Sequence, residues 1–334
     1  MNDISLDGSA QSGSTGSETN DAVYPLGPLE DIFRDVYERF EGDGASAVTV
    51  RINGVVSEKR LKVALVMLQK RHPRLRARFG VDCDGNPCFL VSETAPPIPL
   101  ELKDFQDREL PWKAEGLQSV STPFDTRLGP LCRVKVLRNV RDSVCEIIIC
   151  CHHAIIDGAS AFSIIGDLLS YYDGLSGGSG EYRSVVDNVE SLPFIGALQP
   201  PMTSSLFNRV QVFGQIIKAY IQRRRRAWIA LPNDSAEYFP RWSRRILSSE
   251  ETTAFVKRCR REKIPAYGAI FAAAIVSLAE FLGDRPLRFA CRFPIDTRLL
   301  PGAGFVVSNE HLGCFVSGFD KVYKIKKPIS FWEM

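Results

Sequence analysis

The chain has 334 residues and a mass of 37.2 kDa, with 45% hydrophobic and 24% charged residues. This length exceeds the size at which one hydrophobic core usually keeps growing, so it excludes a small disulfide-stabilised protein and predicts one large or two medium domains. A formal net charge of +3 is too small a bias to indicate a nucleic-acid-binding protein.

Neither the cysteines nor the apolar segments indicate a secreted or membrane-spanning protein. The nine cysteines are scattered and form no CxxC unit, which favours reduced, buried thiols over a disulfide framework or a metal site. No lysine or arginine precedes Arg34, so the basic start of a secretory signal is missing. The longest apolar stretch, residues 267–282, is shorter than the ~20 residues that cross a bilayer and predicts a core helix. We expect a cytoplasmic protein without a transmembrane segment.

The N-terminal part of the chain predicts a polar tail followed by alternating helices and strands. Residues 1–23 have almost nothing apolar to bury and predict a disordered tail. Apolar residues at helical spacing from Leu29 to Phe40 precede a predicted strand at 47–52. Ser57 is the predicted N-cap of the next helix, which must end by His72 because helical geometry is disfavoured in the residue before a proline.

Strands dominate the chain from there to a helix that begins near Gly158. The turn sequence Asp-Gly-Asn-Pro at 84–87 predicts a hairpin. Further strands are predicted at 98–102, 132–137 and 144–151, and three consecutive isoleucines indicate that the last strand is buried on both faces. Such mixing of strands and helices predicts an α/β fold with a mixed sheet rather than a helical bundle or a β-sandwich.

A linker and a basic amphipathic helix are predicted in the middle of the chain. Gly, Ser and Pro are frequent at 176–205 and periodicity is weak, which predicts a linker. The helix predicted after it carries an apolar face and ends in four arginines, Arg223–Arg226. The simplest interpretation is an apolar stripe on the protein's own core with basic residues at a helix C-terminus. An anionic ligand or membrane surface is the alternative.

Regular patterns return near the C-terminal end. Ser249 is the predicted N-cap of a helix through Arg261, followed by the core helix at 269–282 and a strand at 287–293. We therefore divide the folded chain into a first lobe at 24–175, the linker, and a second part at 206–334 that begins with the basic helix.

The clearest chemical signal is a pair of adjacent histidines at the end of the most apolar predicted strand. The chain has only four histidines, and His152 and His153 precede Asp157 and Gly158. Consecutive strand residues point to opposite faces, so only one of the pair faces a given pocket, which disfavours a metal site. A neutral imidazole accepts a proton at physiological pH, as activation of an alcohol or amine requires. We interpret His153 as this base and His152 as a buried structural residue.

Other interpretations of the titratable residues are less specific. Both adjacent histidines could be ordinary buried residues beside an N-capping Asp157. No G-x-S-x-G elbow is present, and Cys150 and Cys151 lie in a buried predicted strand, where thiols are usually inert. His72 is most simply a charge near the last carbonyls of its helix, and His311 a solvated loop residue.

The adjacent histidines belong to a segment that resembles a family signature. Residues 152–158 resemble the HHxxxDG motif of the chloramphenicol-acetyltransferase-like, CoA-dependent acyltransferase superfamily, which includes condensation domains, wax ester synthases and alcohol acetyltransferases. Three further segments resemble motifs of the same family and follow in the family's order: RHPRLR at 71–76, GPLCRV at 129–134 and PIDTR at 294–298. The ordered series covers roughly residues 24–334.

This resemblance implies a fold and an activity. The fold would be two-lobed, with a channel between the lobes. The activity would be transfer of an acyl group from a CoA or carrier-protein thioester to an alcohol or amine, with no permanently bound cofactor and no covalent enzyme intermediate. His153 would be the general base, and His152 and Gly158 would support its loop. Asp157 would be structural, held in a salt bridge for which Arg298 is the candidate and Arg292 the fallback.

Two features depart from the family pattern. Cys314 follows Gly313 where relatives often carry asparagine. No DFGWG-like segment is present, and relatives usually continue beyond the position of Met334. The second lobe is therefore expected to be truncated, either because the sequence is a fragment of a longer protein or because the protein is a short form with an incomplete channel. The alternative function is therefore a catalytically degenerate or truncated protein that binds or scaffolds without turnover.

Overall fold

The computed structural model describes residues 21–39, 44–106, 110–175, 186–196, 245–282, 287–299 and 307–325. The chain divides into two compact units, Met1–Pro201 with Asp296–Ser317, and Met202–Ile295 with Gly318–Met334. The first unit thus includes a C-terminal segment that the sequence analysis assigned to the second part of the chain. The basic helix ending in Arg223–Arg226 and most of the predicted tail lie outside the described residues, so these predictions stay open.

The described residues of the first unit form two sheets. The larger has the strand order β2 (Ala45–Asn53), β7 (Val144–His152), β6 (Cys132–Asn139) and β5 (Leu100–Asp104). Its strands pair antiparallel except β5 and β6, which are parallel, so the sheet is mixed as predicted. The smaller sheet has the antiparallel order β1 (Ala22–Pro25), β4 (Pro87–Val91) and β3 (Ala77–Val81).

In the described residues of this unit, these sheets are accompanied by the helices α1 (Pro28–Arg39), α2 (Glu58–Arg71), α3 (Trp112–Ser121) and α4 (Gly158–Gly174). One apolar core joins residues of α2 and α4 to residues of β3, β4, β6 and β7. Strand β7 is central to the larger sheet, and eight of its nine residues are buried. Burial on both faces explains its almost uninterrupted apolar sequence.

Local sequence signals set several of these boundaries. The side chain of Ser57 accepts a hydrogen bond from the amide of Arg60 and caps α2, as predicted. Helix α2 ends at Arg71, before Pro73, and the turn at 84–87 joins β3 to β4. The prediction of a hairpin is therefore confirmed.

Other elements differ from the predictions. The predicted strand at 98–102 is β5 at Leu100–Asp104, and the N-cap of the helix near residue 249 is Ser248 rather than Ser249. Helix α3 was not predicted from the sequence, since it has no side-chain cap and carries Gly116 in its middle. Strand β1 was not predicted either, because its four residues are too few to show alternation.

The second unit contains α5 (Ser249–Arg261) and α6 (Ala266–Phe281), and strands β8 (Leu287–Asp296) and β9 (Val316–Ile325) pair with each other. Helix α6 matches the predicted core helix in position but is buried on one face only, at Ala269, Ile275 and Ala279. Among the described residues no single helix is long and apolar enough to cross a membrane. Helices α5 and α6 meet that test only as a pair, bent by 98°.

Candidate functional site

The segment that carries the two histidines connects a strand to a helix within the first unit. Strand β7 ends at His152, a short 3₁₀ turn covers His153–Ile155, and α4 begins at Gly158. Asp157 is the N-cap of α4, and its Oδ1 accepts a hydrogen bond from the amide of Ser160 at 2.8 Å. The strand, the turn and the helix cap therefore fix the backbone of the segment at both ends.

His152 is a buried histidine without access to solvent. Its exposed fraction is 0%, and its Nδ1 accepts a hydrogen bond from the amide of Ala154 at 3.1 Å. The rings of Tyr37 and Phe79 lie with their centroids 4.4 and 5.0 Å from the imidazole. Burial, and to a lesser degree the charge of His153, lowers the pKa of His152 to about 3. The imidazole is therefore neutral at physiological pH and organises the turn from inside.

His153 is partly exposed and lies against an aromatic ring. Its imidazole stacks on Phe33 of α1 with a centroid distance of 4.2 Å and an angle of 7° between the planes. Its backbone amide donates to the carbonyl oxygen of Gly44 at 3.1 Å. Nδ1 is buried and has no hydrogen-bond partner among the described residues. The other ring nitrogen, Nε2, is not buried in this unpartnered way. Nε2 is thus the ring nitrogen available to a ligand.

Asp157 makes a buried ion pair with Arg298, the partner that the family resemblance implied. Nη1 of Arg298 lies 2.8 Å from Oδ2 of Asp157, and the two side chains are 2% and 1% exposed. Nη2 of Arg298 donates to Oδ1 of Asp157 at 3.2 Å and to the hydroxyl of Ser160 at 2.8 Å. The amide of Phe315 also donates to Oδ2 of Asp157, at 2.9 Å. Both carboxylate oxygens are therefore satisfied.

The buried ion pair of Asp157 and Arg298, called the clamp below, fixes the ionisation of Asp157. Burial acts to raise the pKa of its carboxyl, but the hydrogen bond and charge of Arg298, with the amides of Ser160 and Phe315, lower the pKa below its ordinary value of 3.8. Asp157 is therefore a charged structural residue at physiological pH. It has no proton to transfer.

The segment at 313–315 packs directly on the clamp. The hydroxyl of Ser160 donates to the carbonyl oxygen of Gly313 and accepts from its amide, both at 3.1 Å. The guanidinium of Arg298 lies over the ring of Phe315, 4.5 Å from its centroid. Neither Ser160 nor Phe315 was predicted from the sequence, because their roles arise from contacts between residues far apart in the chain.

Gly313 leaves room for the aromatic ring that covers the clamp. A Cβ at this position would lie 2.5 Å from Cε2 of Phe315, whose side chain is 1% exposed. We expect Gly313→Ala to destabilise the first unit by roughly 1–3 kcal/mol, since the buried ring must move. Chemical denaturation followed by hydrogen exchange of the β7 amides measures this. Gly116→Ala, where a Cβ meets no atom within 4 Å, is the control and is expected to be neutral or stabilising. A neutral Gly313→Ala would contradict the packing.

Gly158 and Arg292 have no comparable structural role in the described residues. A Cβ on Gly158 would meet no heavy atom within 4 Å, so the protein's own packing does not require glycine there. The side chain of Arg292 lies outside the described residues, and Arg298 already fills the position proposed for it.

The remaining histidines differ from one another. His72 is 1% exposed and its Nε2 lies 2.7 Å from Oδ2 of Asp167. Burial lowers the pKa of His72 although Asp167 opposes the shift. The side chain pairs with Asp167 of α4, a partner that the sequence analysis did not predict. His311 is partly exposed, and its Nδ1 lies 2.9 Å from the hydroxyl of Ser308. In the described part of the chain, no group of three or more His, Cys, Asp or Glu is placed to hold a metal ion.

Known proteins resemble this chain both in sequence and in fold. Residues 45–185 match the family model of the condensation domain. Nonribosomal peptide synthetase ungA of Aspergillus violaceofuscus is 26% identical over 158 residues, and nonribosomal peptide synthetase 5 of Gibberella zeae is 27% identical over 166 residues. The predicted resemblance to condensation domains is confirmed. These matches cover 46% and 49% of this chain but only 2% and 1% of the two relatives.

Solved condensation domains and a related protein share the fold. Polyketide synthase associated protein 5 of Mycobacterium tuberculosis has a TM-score of 0.65 at 15% identity, over 94% of this chain and 71% of that chain. The first condensation domain of the CDA synthetase has a TM-score of 0.62 at 16% identity, over 93% and 71%. The chain therefore spans about 71% of the length of these structures. The mixed α/β fold predicted from the sequence is confirmed.

Proposed function

We propose that this protein transfers an acyl group from a thioester to an amine or alcohol, with His153 as the general base. The match to condensation domains supports acyl transfer as the reaction class. The observation that carries the proposal is the placement of His153. Its Nε2 is available on a turn that directly precedes the buried Asp157–Arg298 pair, joined at 2.8 Å at the start of α4.

The proposed reaction needs one proton acceptor and no covalent enzyme adduct. As the acceptor nitrogen or oxygen attacks the thioester carbonyl carbon, its proton passes to Nε2 of His153. The tetrahedral intermediate then breaks its C–S bond, and the imidazolium returns the proton to the departing sulfur. The products are an amide or ester and a free thiol. Asp157 keeps its charge throughout because Arg298 holds the pKa of its carboxyl low.

A carrier-protein thioester is the donor that we favour over free CoA. The sequence relatives are named as nonribosomal peptide synthetases, and condensation domains act on carrier-tethered thioesters without a resident cofactor. Acyl-CoA is the second candidate, because it presents the same pantetheine thioester to the base.

The test is release of free thiol from three matched donors: an acyl carrier protein, acyl-CoA and an acyl-pantetheine, each with an amine or an alcohol acceptor. We expect release that depends on the acceptor and falls by about 10²- to 10⁴-fold in His153→Ala. The control His311→Gln removes an imidazole from the loop at 307–312 and is expected to keep wild-type release. Preference for the carrier-bound donor over acyl-CoA supports the proposed donor.

Two outcomes would overturn the proposal. Equal release by the wild type and His153→Ala would show that the thioester is lost without this base. Binding of the acyl carrier protein with no release above the uncatalysed rate would favour the alternative, a protein that binds thioester carriers without turnover.

A further inference from the structure

Helix α1 reaches the turn that carries His153 through two side chains. Glu30 and Phe33 are three residues apart on α1 and therefore lie on the same face of the helix. Glu30 is fully buried and Phe33 packs against the core of the first unit. Through these two residues, α1 contacts His153 in the turn and Arg74, which lies just before β3.

Phe33 provides the observed restraint on the imidazole ring. A histidine base is usually oriented by a hydrogen bond to its second ring nitrogen, which also sets the tautomer. His153 has no such bond among the described residues, since its Nδ1 is buried without a partner. The parallel stack on Phe33, at 4.2 Å and 7°, covers one face of the imidazole and limits rotation of the ring out of this plane.

Glu30 fixes the helix that carries Phe33. Its Oε1 lies 2.7 Å from Nη1 of Arg74, and the two side chains are 0% and 2% exposed. Its Oε2 accepts a hydrogen bond from the amide of Gly27 at 2.7 Å. The same Nη1 of Arg74 donates to the carbonyl oxygen of Ala154 at 3.4 Å, inside the 3₁₀ turn. The ion pair thus links the first turn of α1 to the backbone next to His153.

We propose that Phe33 is a positioning residue for His153, whose stacked ring holds Nε2 toward the acceptor while the Glu30–Arg74 pair sets the position of α1. Its catalytic meaning depends on the proposed function, whereas the restraint on the ring does not. Loss of the stack leaves the base chemically intact but lets it leave the productive orientation. The effect therefore falls on kcat, and KM for the thioester stays close to the wild-type value.

The test compares Phe33→Leu, which removes the flat ring and keeps an apolar side chain, with Phe33→Tyr, which keeps the ring. Histidine-labelled protein gives four imidazole signals by NMR, and the signal that disappears in His153→Ala belongs to His153. We expect Phe33→Leu to remove the ring-current shift of this signal and to lower kcat by about 10- to 100-fold. Phe33→Tyr is expected to retain both the ring-current shift of the His153 signal and the wild-type kcat. Ile32→Leu, at a position 53% exposed on the same helix, is the control and changes neither.

The possible contrary results separate the stack of Phe33 on His153, the positioning role of Phe33 and the proposed function. A displaced His153 signal with wild-type kcat in Phe33→Leu would overturn positioning and leave the proposed function intact, provided that His153→Ala is inactive. An unmoved signal would overturn the stack itself, even if the wild type releases no thiol. If Phe33→Leu does not fold, Phe33→Met takes its place against Phe33→Tyr, with the unchanged signal of buried His152 as the measure of folding.

Discussion

Arg298→Ala is expected to lower the free energy of unfolding of the first unit by about 3–5 kcal/mol, because it leaves the charge of Asp157 buried without its counter-ion. Asp157 and Arg298 are 1% and 2% exposed, so water cannot replace the guanidinium without opening the packing. The substitution also removes the hydrogen bond to the hydroxyl of Ser160, made at 2.8 Å. The amides of Ser160 and Phe315 remain as donors to the carboxylate and limit the loss.

The same clamp predicts how stability depends on pH. The pKa of Asp157 is lower in the folded protein than its ordinary value of 3.8, so the unfolded chain binds its proton first as pH falls. The stabilisation is fully present above pH 3.8 and is lost as pH falls through the lowered pKa. In Arg298→Ala the part of this contribution that Arg298 provides is missing, so the difference in stability between the variant and the wild type is expected to shrink at acid pH.

Chemical denaturation with hydrogen exchange of the β7 amides measures the first unit separately from the second. Arg39→Ala is the matched control, because Arg39 pairs with Asp35 on α1 at 2.8 Å while 69% exposed. An exposed pair contributes about 0–1 kcal/mol. If Arg298→Ala cost no more than this control, the ion pair would not be what holds the turn.

Local chemistry explains which parts of the fold could be predicted from the sequence. The cap at Ser57, the stop before Pro73 and the turn at 84–87 each depend on neighbouring residues, and all three agree with the structure. Helix α3 has no such signal, because its N-cap is Pro111 and no side chain caps its first turn. The domain boundaries stay predictions. The return of residues 296–317 to the first unit depends on contacts that no local pattern encodes.

The candidate site was predictable only in part for the same reason. Alternation along a strand separated His152 from His153, and the structure places the first in the core and the second at a partly exposed position. Arg298 lies 141 residues from Asp157, so its candidacy came from a family resemblance rather than from spacing. Phe33 belongs to the apolar pattern that predicts the first helix, and that pattern indicates a core residue without revealing the imidazole on which it stacks.

Glu30→Gln is expected to destabilise the first unit by about 3 kcal/mol, near the lower end of the range for breaking a buried ion pair. Glutamine has nearly the shape of glutamate and still accepts the hydrogen bond from the amide of Gly27, so the cost arises from the unpaired charge of Arg74. Two other contacts still stabilise the charge of Arg74 in this variant. Nη2 of Arg74 donates to the carbonyl oxygen of Ile195 at 2.7 Å, and the guanidinium lies 4.6 Å from the ring centroid of Phe194.

A double-mutant cycle separates the charge from the packing. Arg74→Met alone leaves the carboxylate of Glu30 buried, whereas Glu30→Gln with Arg74→Met removes both charges and keeps most of the side-chain volume. We expect the double variant to be more stable than the sum of the single effects by about 1–3 kcal/mol, measured by the same hydrogen-exchange readout. Additive effects would contradict a direct interaction across 2.7 Å. Because α1 carries Phe33, the single variants are also expected to broaden the NMR signal of His153, and the double variant to restore it in part.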